Sequence, residues 1–348
     1  MKLLIITQKV DINDPILGFF HRWIEEFAKH GEKVTVICLQ QGEYHLPAEV
    51  RVLSLGKENG QSRLKYLWNF YKYLWQERKN YDKVFVHMNP VYIILAGWWW
   101  QLANKLVFLW YTHRQVDLKL RIAEKFVNKI FTAAPESFTL VSKKVCVVGH
   151  GIDVGAFACP IRNIDNQKIN LLHVGRITRI KNCDIFIEAV RLLRENYQRS
   201  VKAVFIGEAV TVDDVVYKQK LLNQINQSGL DGVVEFRGSV ANREMREQYC
   251  MADLTVNLTP TGGIDKSVLE SMAAGAPVLT SNQAFRYYFG EYASILLFIE
   301  RDAGDLASKI AELVFNKDFQ QIGIDLKKIV LGKSDVKNLI KKIIDQMQ

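Results

Sequence analysis

Short apolar runs alternate with amphipathic helical patterns along the whole of this chain, and that alternation admits few folds other than a mostly parallel α/β sheet. In the first half the runs that read as strands are residues 2–7, 33–39, 50–55, 83–88, 105–111 and 145–149. In the second half they are 169–175, 201–207, 233–238, 254–258, 277–281 and 294–299. Between the halves lies ACPIRNIDNQKIN (158–170), polar with one proline, which reads as a linker. With 348 residues, 49% of them hydrophobic, the chain can build two Rossmann-like domains of similar size, each with its own core. The expected division is 1–160, 168–330 and a last helix over 334–348. That helix sets Val336, Leu339, Ile340, Ile343, Ile344 and Met347 at helical spacing behind Ser334-Asp335, so an apolar face must dock.

Two segments invite a membrane reading. Residues 91–111, VYIILAGWWWQLANKLVFLWY, carry one charge in 21 positions, just long enough for a span. Gly97 and the polar turn from Gln101 to Lys105 divide the run, which reads better as a buried helix followed by a central strand. Residues 63–79, RLKYLWNFYKYLWQERK, put five basic residues and six aromatics on one helix. Its core side is expected near Leu64, Leu67, Tyr71, Leu74 and Trp75, with Arg63, Lys65, Lys72 and Lys79 on the other. That cationic face reads either as solvated surface or as contact with lipid headgroups. The start, MKLLIITQKV, has too short an apolar run for a signal peptide and reads as the first strand.

Five cysteines (Cys38, Cys146, Cys159, Cys183 and Cys250) show no C-x-x-C spacing and read as reduced cytosolic thiols, not as a disulfide frame or a zinc site. The net charge of +9 is concentrated in residues 1–160, which hold 21 Lys and Arg against 14 Asp and Glu. Such a surplus suits an anionic acceptor or membrane face. Without zinc-finger spacing, an RNP motif or a DNA-reading basic helix, nucleic acid is not the expected partner.

Two stretches carry chemistry. In HVGRITRIKNCDIFIEAV (173–190) a strand ends at Gly175, Arg176 follows it, and Lys181 stands directly before a helix that Asn182 can cap. Ligands of open α/β sheets bind at strand carboxyl ends, where two cations and a helix start can share a phosphate. The plainer alternative is two loop cations on the surface. In TPTGGIDKSVLESMAAGAPVLTS (259–281) a glycine-rich loop leads into a helix beginning near Asp265 to Ser267 and stopped by Gly275. Gly262 and Gly263 let backbone N–H groups approach an anion, and Glu270 can reach a ligand hydroxyl one turn in. Equally, Ser267-Val-Leu-Glu270 matches a capping box, which would leave Glu270 a purely structural role.

The pair GRITRIK and GGIDKSVLESMAAGAPV resembles the family-4 retaining glycosyltransferases of the GT-B fold, over nearly the whole chain. The resemblance implies two Rossmann-like domains facing each other across a cleft that closes on the donor, with the final helix crossing back onto the N-terminal domain. It implies that Arg176 and Lys181 hold the diphosphate of a nucleotide-sugar donor, that amides of the loop Gly263–Val268 contribute, and that Glu270 binds the ribose. The family pattern has two glutamates separated by seven residues; here the first position is Gly262. That departure alters the sugar contact, and Asp265 and Lys266 are the candidates for replacing it. Near the start, DINDPILGFFHRWIEEFAKHG (11–31) resembles the family's loop near the donor phosphates and acceptor, with Gly18 opening the helix and the usual glycine pair reduced to one. His113, in LWYTHR, matches a position where the family often keeps a histidine near the transferred sugar; a lone histidine after a strand also reads as structural.

The implied reaction moves a sugar from a nucleoside-diphosphate sugar to an acceptor hydroxyl with retention at the anomeric carbon. Charge growing on the departing diphosphate would fall to Arg176, Lys181 and the helix start at 265–268, which includes Ser267 and Val268. No carboxylate cluster suggests a divalent ion, so metal-independent activity without a cofactor is expected. The acceptor would be a glycan or lipid-linked molecule of cell-surface polysaccharide, lipopolysaccharide or glycolipid synthesis, met by the N-terminal domain at the cytoplasmic face of the membrane. Two rivals remain open: a sugar-nucleotide 2-epimerase of the same fold, and a catalytically silent GT-B binding subunit, which Gly262 encourages.

Overall fold

The structure, a computed structural model, describes residues 1–160, 168–196, 200–314 and 318–348. Most of the expected linker, residues 161–167, lies outside the described residues. The chain divides into two compact units, Met1–Asp153 with Val336–Gln348, and Val154–Asp335.

In the first unit the elements run Lys2–Val10 (β1), Phe19–His30 (α1), Lys33–Gln41 (β2), Val50–Ser54 (β3), Arg63–Glu77 (α2), Lys83–His87 (β4), Val91–Leu102 (α3), Leu106–Trp110 (β5), Leu118–Phe126 (α4), Lys129–Thr132 (β6) and Val145–Val147 (β7). The strands form one parallel sheet in the order β3-β2-β1-β4-β5-β6-β7. Helices on both faces demand strands that are apolar throughout, and Leu3, Leu4, Ile5 and Ile6 are accordingly all buried. The strand β6 was not expected. It has only four residues, and its pairing with β5 and β7 on either side, not its own length, makes it a strand. The apolar run 91–111 divides as expected into α3 and β5, and no helix among the described residues is long and apolar enough to cross a membrane. Gly97 does not break α3. A Cβ there would stand 2.6 Å from the Phe126 Cβ, so the glycine lets α4 approach α3 closely.

One helix is turned from its expected setting. On α2 the structure buries Asn69, Phe70, Leu74 and Glu77, while Leu64, Leu67, Tyr71 and Trp75 are exposed. The segment carries two apolar stripes, and periodicity does not say which one docks. Contacts decide: Phe70 packs on Tyr92 of α3 at 5.3 Å between ring centroids, and the Asn69 amide donates to the Leu55 carbonyl at 3.0 Å.

The second unit runs Lys168–Val174 (β8), Cys183–Asn196 (α5), Ser200–Ile206 (β9), Val212–Gln227 (α6), Val234–Phe236 (β10), Met245–Met251 (α7), Leu254–Asn257 (β11), Lys266–Ala273 (α8), Val278–Thr280 (β12), the short helices Arg286–Phe289 (α9) and Ala293–Leu296 (α10), then Ala303–Val314 (α11) and Phe319–Ser334 (α12). Its parallel sheet has the order β10-β9-β8-β11-β12. Both sheets thus follow the doubly wound 3-2-1-4-5 order. The run 294–299 is not the strand expected from its hydrophobicity. It begins as α10 and meets the sheet only through a bridge between Leu297 and Thr280. Helix α8 stops where expected, at Gly275 with φ +71°, whose N–H donates to the Met272 carbonyl at 3.0 Å.

The reduced state expected for all five cysteines is corrected at one pair: Cys159 and Cys250 are joined, with Cα atoms 5.5 Å apart. The 91-residue separation hides this from any reading of spacing. Cys38, Cys146 and Cys183 are free. The last helix, Val336–Met347 (α13), belongs to the first unit and packs on α1. Val336, Leu339, Ile340, Ile343 and Met347 are buried, and a Cβ on Gly151 would stand 2.7 Å from Leu339 Cδ2.

Two outcomes are expected. Gly97→Val should cost about 2 kcal/mol by overpacking against Phe126, read as a lower urea midpoint at unchanged m value. Thiol titration of the unfolded, unreduced chain should count three reactive thiols, rising to five after reduction; five without reductant would contradict the Cys159–Cys250 bond.

Candidate functional site

In a doubly wound sheet the crossover connections leave in opposite directions on either side of the first strand, which opens a crevice at the carboxyl ends. In the second unit that point lies between β8 and β11. The loops after these strands are the two stretches that stood out in the sequence.

Lys181 closes a 3-10 turn, Arg179–Lys181, and reaches across to the loop after β11. Its Nζ donates to Thr259 Oγ1 at 2.5 Å and lies 3.3 Å from Asp265 Oδ2, with only 15% of the lysine side chain exposed. Asp265 also accepts from Asn257 Nδ2 at 2.9 Å. Burial opposes ionisation of this carboxyl, but the Lys181 charge and hydrogen bonds from Thr259, Asn257 and Lys181 hold its pKa below the ordinary value. Asp265 is therefore ionised at neutral pH. Beneath it His173 is fully buried, its Nδ1 donating to the Val256 carbonyl at 3.0 Å and its Nε2 4.0 Å from Cys183 Sγ. Burial pulls the His173 pKa down to about 4 despite the Val256 hydrogen bond, and the Lys181 charge adds to the depression. Burial likewise pushes Cys183 up to about 12. Imidazole and thiol are thus uncharged, and the cationic charge here is the lysine's.

The two loops are tied at several points. Asn182, buried with φ +44°, donates its amide to the Leu258 carbonyl at 3.2 Å, a left-handed position that asparagine tolerates. Gly207, after β9 with φ +142°, abuts the Gly175 carbonyl so closely that no side chain fits. On the far side Asn282, fully buried after β12, grips the glycine loop with both ends of its amide. Oδ1 accepts from the Gly262 N–H at 3.4 Å and Nδ2 donates to the Gly263 carbonyl at 2.8 Å. Thr280 Oγ1 accepts from the Asn282 N–H at 3.2 Å and donates to Asn257 Oδ1 at 3.0 Å. The polar chain thus runs Lys181, Asp265, Asn257, Thr280, Asn282. Neither Gly262 nor Gly263 takes a positive φ. Gly262 is buried with its N–H aimed at Asn282, so the expected approach of this amide to an anion is not what the geometry presents.

Helix α8 begins at Lys266 with Asp265 as its N-cap residue, and the Asp265 side chain makes no capping bond. Glu270 is thus the fifth helical residue, two past the place a capping box needs with its start here. That alternative is removed. Glu270 is 6% exposed and accepts from Tyr249 OH on α7 at 2.8 Å. Burial raises its pKa against the opposing pull of Lys266 and of hydrogen bonds from Tyr249 and Asn242. Ser267 is half-buried at the helix start, and Val268 points into the core with its N–H 3.2 Å from the Asp265 carbonyl. Arg176 is exposed and pairs with no carboxylate among the described residues. The structure therefore brings Lys181, Asp265, the glycine loop and the α8 start to one corner, with Arg176 on the same strand end and Glu270 one turn along.

His113 and Gly18 belong to the first unit. His113 is exposed after β5, its ring edge-on to Tyr111 at 5.6 Å. Gly18 precedes α1, where a Cβ would stand 2.5 Å from the Asp14 carbonyl oxygen, so the loop's own backbone demands glycine. Sequence reasoning missed Asn257, Thr280, Asn282, Tyr249 and His173. An asparagine ending the apolar strand LTVN was a usable signal; the partnership of Tyr249 with Glu270 had none.

Residues 168–316 match the family described as Glycosyl transferases group 1. By that match the second unit resembles a group 1 glycosyltransferase domain. The chain is 25% identical to the putative colanic acid biosynthesis glycosyltransferase WcaL of Salmonella typhimurium, over 57% of its own length and 48% of that protein's. It is 24% identical to the D-inositol 3-phosphate glycosyltransferase of Paenarthrobacter aurescens, over 49% and 44%. The chain thus spans about half the length of the curated relatives it matches. Among solved structures, Anabaena HepE in complex with UDP superposes with a TM-score of 0.77 at 17% identity, covering 100% of this chain and 99% of that one. The two α/β units therefore have the GT-B fold.

His173 supplies the pH dependence of this corner. Its folded pKa lies below the unfolded value of 6.5, so the unfolded chain takes up the proton first as pH falls. Stability is full above that value and declines by about 3 kcal/mol as pH drops to about 4. Urea midpoints at neutral pH and near pH 4 should show the decline, and His173→Gln should remove this part of the slope.

Proposed function

We propose that the protein transfers a sugar from a nucleoside-diphosphate sugar to an acceptor hydroxyl, with retention at the anomeric carbon, as a family-4 enzyme. The observation that carries this reading is Lys181, held across the switch point of a group 1 domain by Thr259 and Asp265. A lysine so placed meets the charge that grows on the diphosphate as the glycosidic bond breaks. Its ion pair orients the ammonium before substrate arrives, so little reorganisation is needed in the reaction. Asp265 is in this reading a positioning residue for Lys181 and no substitute for the acid absent at Gly262. Arg176, exposed on the same strand end, is the second phosphate cation. Glu270, fixed by Tyr249, retains acceptor capacity for a ribose hydroxyl. Gly18 and His113 are assigned to the donor phosphates and the transferred sugar, with Lys266 and the amides near Ser267 and Val268 completing the donor side.

HepE binds UDP, which makes a uridine nucleotide sugar the first donor to try. The relative named a putative colanic acid biosynthesis glycosyltransferase makes a polysaccharide the first acceptor class to try. Lys181, Arg176 and Lys266 put side-chain cations on the donor side, so activity is proposed to need neither metal nor cofactor.

The test is donor turnover by the purified chain with UDP-, GDP- and ADP-sugars, followed as nucleoside diphosphate released. Lys181→Ala should lower kcat/KM for the preferred donor at least about a hundredfold, and chelator should leave the wild-type rate unchanged. Full activity in both Lys181→Ala and Arg176→Ala would reject the reading. Isomerised donor formed without acceptor would replace it with the epimerase.

A further inference from the structure

The helix α2 leaves an apolar stripe uncovered. Leu64, Leu67, Trp68, Tyr71 and Trp75 recur at the i, i+3, i+4, i+7 and i+11 spacing of one helix face, and Leu64, Trp68 and Trp75 are 80%, 66% and 61% exposed. The stripe continues onto α3. Tyr71 OH and Trp98 Nε1 both donate to the Leu95 carbonyl, at 2.9 and 3.1 Å, which sets the two side chains next to each other. Beyond them Trp98 and Leu102 are 52% and 76% exposed. Contiguous apolar exposure of this kind marks an interaction surface.

Charge identifies what covers it. Lys65 and Lys72, seven residues apart, lie along one edge of the stripe and Arg63 at the other, with Arg78 and Lys79 just past the helix end. Arg78 stacks on Trp75, its Cζ 4.1 Å from the ring centroid. The one acid of the helix, Glu77, is buried and paired with Arg51 at 2.7 Å, so α2 shows no carboxylate to solvent. The surrounding chain has the same bias: residues 51–150 hold 16 Lys and Arg against 6 Asp and Glu. Tryptophan and tyrosine beside lysine and arginine match the headgroup zone of a bilayer, where ring bodies enter the acyl boundary and cations meet lipid phosphates.

We propose that the α2–α3 face of the first unit docks the protein on an anionic lipid surface, with Leu64, Trp68, Trp75, Trp98 and Leu102 entering the interface. The assignment does not depend on the donor-site reading, and neither helix carries a residue of that site.

The experiment is co-sedimentation of the full chain with vesicles of phosphatidylcholine mixed with phosphatidylglycerol, and of phosphatidylcholine alone. The chain is expected to partition onto the anionic vesicles and to be released by salt. Trp68→Ser combined with Trp75→Ser should lower the partition coefficient at least about tenfold. Lys65→Glu with Lys72→Glu should do the same and flatten the salt dependence. All four side chains are exposed, so the melting temperature should be unchanged and serves as the control for folding. Absence of binding to anionic vesicles, or wild-type binding by the tryptophan variant, would overturn the proposal. So would a dimer seen by light scattering that the tryptophan variant abolishes, because that result gives the stripe to a second copy of the chain.

Discussion

A lysine with most of its side chain withdrawn from water needs a counter-ion, and the arrangement around Lys181 follows from where that counter-ion sits. Asp265 is the residue at which the glycine loop turns into α8, so the ion pair joins the loop after β8 to the loop after β11 at the helix start. With its carboxylate committed to Lys181 and Asn257, Asp265 does not cap its own helix. A helix start whose capping carboxylate faces elsewhere keeps its positive end available to an anion. The neutral state of His173 serves the same end, since a second cation below the lysine would weaken the pair.

The glutamate on α8 rests on different supports. Glu270 is fixed by Tyr249 of α7, and the next residue of that helix, Cys250, is bonded to Cys159. A carboxylate buried at the edge of the site is thus braced by a helix that is itself covalently anchored. Removing one partner of such a buried hydrogen bond exposes the full desolvation penalty of the other, so Tyr249 is as much a part of the site as the acid it holds.

Much of this is legible in the sequence. Parallel strands sit in apolar surroundings on both faces, so their runs stand out, and the loops following β8 and β11 could be marked for chemistry from Gly175, Lys181 and Gly275. What escaped depended on contacts between distant segments. The four residues of β6 become a strand by pairing on both sides, whereas the apolar run 294–299 has a single bridge and begins as helix α10. Helix α2 offers two apolar stripes of similar strength, and only its docking on α3 shows which is inside. Asp265 lies near Gly262 in sequence, which suggested compensation for a missing acid; in space it lies 3.3 Å from Lys181, 84 residues away along the chain.

Asn282 has a consequence for how the protein ages. Asparagine deamidates when the backbone nitrogen of the following residue attacks the side-chain carbonyl carbon. Here an aspartate product would face the Gly263 carbonyl, oxygen against oxygen, where Asn282 now donates. The nitrogen in question is that of Gln283, and its N–H is held by Thr261 Oγ1 at 3.0 Å. The loop that Asn282 organises therefore restrains the atom whose attack would begin the loss of its amide.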